Sequence, residues 1–265
     1  DGDRGTPPRT ARLLLVHGFG PTAYGDAFAD VYDDWYERIS DVGATVARVR
    51  ALAGDGAVLE LGVGTGRLAL PLADTGVPTW GLDASAPMLA HLRAKPGGDR
   101  IRIVLADMAA PPLVAPGRFA VVFCAYNTFF NLDTPDAQRA CLAWVAGALA
   151  PGGRLAIEAF VPNDPDEATG GPVTVRSVEP DRVVLSVASR DTAAQTITGQ
   201  FVELGESGVR LRPYRIRYLF PEQLDAAAAT AGLGLVDRWA DWDRRPFTGD
   251  SPNHVSVYAV PLDPR

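Results

Sequence analysis

The run Val58-Leu-Glu-Leu-Gly-Val-Gly-Thr-Gly-Arg67 constrains the fold more than any other stretch of the chain. Val58, Leu59 and Leu61 suit a buried strand, and Gly62, Gly64 and Gly66 let the backbone turn sharply and pass close to a ligand. Leu68, Leu70, Leu72 and Ala73 make the following segment apolar enough to pack on a sheet as a helix. A strand that breaks into glycines and enters a helix leaves free N–H groups beside whatever binds there. Glu60 sits inside the strand, two residues before the first glycine. A carboxylate at that point repels a phosphate but suits the ammonium of an amino-acid-like ligand.

Further elements follow at α/β spacing. Thr79-Trp-Gly-Leu-Asp83 predicts a second strand ending in an acid 19 residues after Gly64, where a carboxylate accepts ribose hydroxyls. Ala84-Ser-Ala-Pro-Met-Leu89 opens a helix with Ser85 as its cap. Strands are expected over Ile101–Met108, Phe119–Asn127 and Pro151–Phe160. The Glu-x-Gly-x-Gly-x-Gly pattern and these successors resemble the class I S-adenosylmethionine (SAM)-dependent methyltransferases rather than the GxGxxG dinucleotide fingerprint. The resemblance is specific between Glu60 and Asp107 and loose beyond Phe160, where the layout is similar to amino-sugar N-methyltransferases. It implies an α/β, Rossmann-like, seven-stranded, mostly parallel sheet with an antiparallel last strand, and SAM as cofactor. The residues it implies for cofactor binding are Tyr24, Tyr32, Glu60, Gly62, Gly64, Gly66, Asp83, Ala84, Met88, Asp107, Met108 and Ala125.

Two flanking regions complete the plan. Residues 1–22, rich in Arg, Pro and Gly, are expected to be a flexible extension; Leu15-Val-His-Gly-Phe within them has no Gly-x-Ser-x-Gly elbow to make it a hydrolase motif. From Tyr24 to Leu52 the apolar spacing is helical, and Tyr24, Tyr32 and Tyr36 read either as core packing or as a lid over the cofactor. Residues 23–160 would then form the cofactor-binding core with its lid helices. After a Pro-rich break, four period-two segments, Val173–Val178, Arg182–Arg190, Gln195–Leu204 and Val209–Phe220, predict an antiparallel insertion over 161–213. The last of them is expected to return to the main sheet, which residues 214–265 complete with strands near Leu235–Trp239 and Asn253–Val260. Arg210, Arg212, Arg215 and Arg217 alternate with apolar residues, as on a solvated sheet face; the other reading is a site for an anionic acceptor.

Composition narrows the partners. A formal net charge of −7 over 265 residues argues against nucleic-acid binding, which needs a basic face. The only early apolar run is too short for a signal-peptide core or a membrane span, and Cys124 and Cys141 form no CxxC pair. A cytoplasmic enzyme without a metal, acting on a small-molecule acceptor and possibly homodimeric, is expected.

Methyl transfer from a sulfonium asks the protein mainly for alignment and exclusion of water, with a base only if the acceptor must lose a proton first. The catalytic candidates are therefore Asn127 after the fourth strand, Glu158 near the end of the fifth and His254 before the last. Each has a plainer reading: Asn127 as a turn residue, Glu158 in a structural ion pair, His254 as a solvated strand-edge histidine. Trp239, Trp242 and Phe247 would either wall an acceptor pocket or fill space. Two other reactions fit the same motifs, a SAM-dependent cyclisation and a nicotinamide-dependent oxidation; Glu60 argues against the second.

Overall fold

Strand β1 (Val58–Leu61) is buried along its whole length, as a parallel strand covered on both faces must be. The computed structural model describes residues 19–36, 40–112, 117–162, 173–206 and 208–261. In it β1 pairs in parallel with β2 (Thr79–Asp83), which pairs with β3 (Arg102–Leu105). On its other side β1 meets β4 (Phe119–Cys124), then β5 (Leu149–Phe160). The sheet ends with β10 (Gly234–Trp239) and β11 (Asn253–Ala259), in the order β10-β11-β5-β4-β1-β2-β3. Strand β11 runs antiparallel to both neighbours.

Chain direction places the site. After β1 the chain winds outward through β2 and β3, then returns to β4 and β5 on the opposite side of β1. Such a reversal opens a crevice at the carboxyl ends of the strands, where open α/β sheets bind ligands. The helices on the two faces are stopped and started by local chemistry. Asp41 caps α3 (Val42–Ala53), accepting from the Ala44 amide at 2.9 Å. Thr134 caps α6 (Pro135–Ala148), with Pro135 opening its first turn. Alternate residues of β4 divide between two cores. Val122 joins Leu59, Leu142, Val145 and Tyr258 on one face, while Val121 and Phe123 join Val49, Leu72, Trp239 and Trp242 on the other.

The helical stretch expected from Tyr24 to Leu52 is three helices: α1 (Ala23–Phe28), α2 (Tyr32–Tyr36) and α3. The insertion forms a separate four-stranded antiparallel sheet of β6 (Thr174–Val178), β7 (Arg182–Asp191), β8 (Thr196–Gly205) and β9 (Gly208–Arg217). Two expectations are corrected there. Strand β9 pairs with β8 as far as Arg217 and not with the main sheet, so the insertion runs past residue 213. Arg212 is not solvated: it is 1% exposed, held by Asp30 at 2.6 Å and Glu203 at 2.9 Å. The inner face of this sheet covers the N-terminal helices around Phe201 and, toward its other end, packs Ile197 and Ile216 on the main core. Phe201 packs on Phe28 and Trp35, and the Arg176 guanidinium lies 4.8 Å from the Trp35 ring and donates to its carbonyl.

The Leu15-Val-His-Gly-Phe motif falls almost wholly outside the described residues, as does most of the Pro-rich break after Phe160.

Candidate active site

The three glycines of the first turn all have positive φ but meet different neighbours. A Cβ on Gly62 would strike Thr128 Cγ2 at 2.3 Å, and one on Gly66 would strike Leu92 Cγ at 2.9 Å. Those two positions are forced by packing. Gly64 (φ +54) faces open space, with only Tyr32 and Met88 near, each 4.0 Å from an added Cβ. The Gly64 amide donates to Asp83 Oδ2 and the Ser85 amide to Asp83 Oδ1, both at 2.8 Å. Burial pushes the Asp83 carboxyl above its usual range, opposed by these backbone donors.

Beneath the turn, Glu60 is 5% exposed and its Oε2 has no hydrogen-bond partner. Burial raises its carboxyl to about 8; Arg67 pulls it down and Asp83 pushes it further up. A buried carboxyl with one unbonded oxygen is costly to ionise, although the Arg67 charge and a backbone hydrogen bond with Ala69 favour the carboxylate.

Helices α1 and α2 roof the same cleft. The Tyr24 phenol donates to the Tyr36 oxygen at 2.9 Å, and Tyr32 stacks on Tyr36 with ring centroids 4.6 Å apart. Polar ties fasten this roof to the core. Ser85 Oγ donates to Asp26 at 2.8 Å, Thr65 Oγ1 to Asp33 at 2.6 Å, and Lys95 Nζ lies 2.7 Å from Asp33. Burial raises both the Tyr24 and Tyr32 phenols well above their usual range, so neither is a base near neutral pH.

The cleft, counted with the solvent space open at its mouth, spans about 910 Å³. Of the residues expected at the cofactor, Tyr24, Tyr32, Gly62, Gly64, Asp83, Ala84, Met88, Asp107 and Met108 line it. Glu60, Gly66 and Ala125 do not: Glu60 lies under the turn, Gly66 packs on Leu92, and Ala125 is buried at the end of β4. The sequence reading missed Thr128, Leu132 and Ala137, which reach the cleft from the loop after β4 and the start of α6. It also missed Phe19, Gly20 and Pro21, which line the cleft from within the stretch assigned to the extension. Capping by Thr134 and Pro135 was legible and would have placed the start of α6 at this edge.

The three catalytic candidates sit elsewhere. Asn127 Oδ1 accepts the Phe160 amide at 2.7 Å, and Glu158 Oε2 accepts the Tyr126 amide at 2.8 Å. Together they hold a turn in which Tyr126 (φ 47) and Asn127 (φ 62) both take the left-handed conformation, a strained arrangement for non-glycine residues. Both line a second cavity of about 910 Å³ with Ser40, Asp41, Asp241, Trp242 and Asp243. His254 lines neither cavity and is wholly buried, not solvated at a strand edge. Its Nδ1 lies 2.8 Å from Ser256 Oγ, and burial, helped by the Arg238 charge, lowers it to about 4. Trp239 and Trp242 are core residues, and Trp242 also walls the second cavity. Tyr36 links the two spaces, bonded to Tyr24 on one side and edge-on to Tyr126, at 6.2 Å, on the other.

The donor set fits SAM. Glu60 offers a buried carboxyl with one unbonded oxygen, Asp83 a carboxylate tied to the turn, and Gly64 an approach that a side chain would narrow. Comparison with known proteins agrees. Residues 58–153 match the family described as a methyltransferase domain. The solved structure of the CcbJ methyltransferase from Streptomyces caelestis is 41% identical, with a TM-score of 0.85, over 92% of this chain and all of that one. A cypemycin N-terminal methyltransferase from a Streptomyces species is 28% identical across 89% of this chain and 97% of that protein. A dTDP-3-amino-3,6-dideoxy-alpha-D-glucopyranose N,N-dimethyltransferase of Streptomyces fradiae is 28% identical over 82% and 88%. With the glycine turn, the roofed cleft and a relative this similar along its full length, the chain belongs to the SAM-dependent methyltransferases.

Proposed function

We propose that the protein methylates an amine nitrogen of a small-molecule metabolite. The observation that carries this choice of atom is a lining of carboxylates and phenols, which suits an amine's charge better than the deprotonation of an alcohol. Among the described residues lining the two cavities there is no histidine, and the cleft phenols Tyr24 and Tyr32 hold their protons near neutral pH. A phenol or alcohol acceptor needs a base, whereas a neutral amine brings its own lone pair. The Streptomyces fradiae relative carries N,N-dimethylation in its name.

The chemistry supplied by bound SAM is a methyl group already activated on a sulfonium. In this reading Glu60 holds the ammonium of its methionine part, and Asp83 accepts from the ribose hydroxyls. Ala84, Met88 and Met108 flank the adenine, and Asp107 accepts from its amine. Tyr24 and Tyr32 close the roof and exclude water, and Glu158 and Asn127 act by fixing the Tyr126 turn. Incubation with methyl-labelled SAM and a metabolite extract tests the proposal: label should appear on amines, and label on oxygen alone would refute the choice of nitrogen. A thermal-shift comparison of SAM with NAD checks the cofactor.

The division into an extension (1–22), a core (23–160), an insertion and a closing segment (to 265) belongs to the same reading, with the insertion extended to Arg217. So does action in the cytoplasm, which two buried free cysteines suit, without nucleic acid or membrane as partner. Among the described residues no helix is long and apolar enough to cross a membrane.

Homodimerisation through the insertion is the remaining part. Val175, Val178, Val187, Leu204, Val209 and Leu211 are all exposed, and the register puts them on the side of the sheet away from Phe201. At ordinary strand spacing and rise such a face offers roughly 600 Å² per copy. Two copies face to face reach the ~1,200 Å² at which stable interfaces begin.

A further inference from the structure

Helices α1 and α2 are held by the core on one side and by the inserted sheet on the other, and the two holds differ in kind. On the core side a glycine makes the contact. A Cβ on Gly25 would strike Ser85 Cβ at 2.4 Å and come within 3.3 Å of Met88 Cγ, so α1 rests there on bare backbone with no side chain to interlock. The polar ties on that side join Asp26 to Ser85 and Asp33 to Thr65 and Lys95. Asp33 and Lys95 are 46% and 30% exposed, and ion pairs open to water hold weakly.

On the side of the inserted sheet the contact is dry and interlocked. The Trp35 ring meets Phe201 edge-on and is covered by the guanidinium groups of Arg176 and Arg212, at 4.8 and 5.3 Å. Phe28, wholly buried, meets Phe201 with ring centroids 5.6 Å apart. Arg212 donates to the Ala27 carbonyl as well as to Asp30, and Arg176 donates to the Trp35 carbonyl. Each roof helix is therefore gripped by its backbone as well as by its rings.

The inserted sheet meets the core at one end. Ile197 and Ile216 pack on the main core, and Gln195 donates to Gln223 at 2.8 Å. Arg217 exchanges two hydrogen bonds with the buried Gln138, at 2.6 and 2.9 Å. These groups cluster where Thr196 pairs with Arg217, and Gly205 pairs with Gly208 at the far end of the same two strands. Arg212 stands five residues along β9 from Arg217, about 17 Å at the usual strand rise. The attachment to the core is thus offset from the grip on the roof.

We infer that the roof and the inserted sheet move as one body about the Arg217–Gln138 contact, and that cofactor enters and leaves when this body parts from the core along Gly25–Ser85 and Asp33–Lys95. The inference rests on SAM occupying the roofed cleft. The weaker hold opens while the stronger one stays shut, and Tyr24 and Tyr32, which line the cleft, are carried away with the sheet. The pivot adjoins the same cleft, whose lining includes Asp133 and Ala137 next to Gln138. Each turnover must expel the demethylated cofactor before new SAM binds, so this opening belongs to the reaction cycle.

Two measurements on the full chain test it, with S-adenosylhomocysteine as the probe. The first is the distance between spin labels on Asp181→Cys/Asp34→Cys, from sheet to roof, and on Asp181→Cys/Arg93→Cys, from sheet to core. Both native cysteines are buried, and labelled chains are diluted into unlabelled protein. Adding the probe should leave the sheet-to-roof distance unchanged and should shift or narrow the sheet-to-core distance. The second is stopped-flow binding to Asp33→Ala, in which association and dissociation should both quicken about two- to fivefold, the factor set by one exposed ion pair. A merely structural loss would speed dissociation alone. A changed sheet-to-roof distance, an unchanged sheet-to-core distance, or an association rate that does not rise would overturn the inference. Calorimetry on the wild type separates it from the reading beneath it. Absent binding of the probe refutes the cofactor cleft, whereas normal binding with any adverse outcome refutes only the moving body.

Discussion

Asp83 Oδ2 accepts the Gly64 amide at 2.8 Å, joining the end of β2 to the middle of the glycine turn. Its other oxygen accepts the Ser85 amide at the same distance, so one carboxylate ties the glycine turn to the start of the next helix. The turn is thereby set before any ligand arrives.

Asp83→Ala should weaken SAM binding by about 1.5–3 kcal/mol for each hydrogen bond lost to the carboxylate. Asp83→Asn keeps an oxygen for the Gly64 amide while losing the charge, and should fall between Ala and wild type. Calorimetry checks both; a folded Asp83→Ala variant with unchanged affinity would remove Asp83 from the ribose site.

Gly64→Val places a β-branched residue at φ +54, which L side chains rarely adopt, and narrows the space beside Tyr32 and Met88. SAM binding should be lost while the far-ultraviolet circular dichroism changes little. Normal binding by this variant would put the ligand elsewhere.

Glu60 gives a pH dependence of defined sign. Its carboxyl is raised from 4.5 to about 8 by burial, so the folded state holds this proton more tightly than the unfolded chain. The stability linked to it is fully present below 4.5 and is lost as pH rises through about 8. An ammonium beside Glu60 favours the carboxylate, so SAM binding below pH 8 should release a proton and tighten as pH rises. Titrations in buffers of different ionisation enthalpy measure that release, and Glu60→Gln should abolish it. Equal proton release by Glu60→Gln and wild type would show that Glu60 does not face the ammonium.

Arg212→Ala removes a buried guanidinium from Asp30 and Glu203, which keep Arg210 and Arg182 as their remaining partners. Losing these charge-assisted hydrogen bonds should cost about 1.5–3 kcal/mol, and thermal unfolding should shift down accordingly. Arg210→Ala, at a half-exposed ion pair with Asp30, should cost about 0–1 kcal/mol. Equal shifts for the two would show that burial does not distinguish them.

Val187→Asp/Leu211→Asp changes only the outer face of the insertion. Sedimentation should show a dimer for wild type and a monomer for the variant. A wild-type monomer at tens of micromolar, or a dimer surviving the change, would place the interface elsewhere or remove it.

The cofactor half of the molecule was legible because its chemistry is compressed into short, local signals. Gly62 to Gly66 and the acid at Asp83 each carry their meaning within a few residues, and strand alternation located all four strands of the insertion to within three residues. What stayed hidden depends on contacts between distant segments. Alternation assigned Arg212 to a face of β9, but nothing local says that Asp30, 182 residues earlier, covers it. His254 reads as an edge residue until its strand, β11, is placed between β5 and β10. Asn127 and Glu158 were rightly grouped after β4 and β5, but that they support the Tyr126 turn follows only from the register of β5 beside it. The second cavity draws on residues from 40 to 253, too far apart for any motif to announce it.

The clasp around Arg212 also bears on how such enzymes can be recombined. Its partners are Glu203, from the inserted sheet, and Asp30, from the link between the first two helices. A chimera that imported a foreign insertion alone would leave Asp30 without either of its arginines. The exchangeable cassette is therefore discontinuous: helices α1 and α2 must travel with the sheet that clasps them, although more than a hundred residues of the Rossmann-like core separate the two in the gene product.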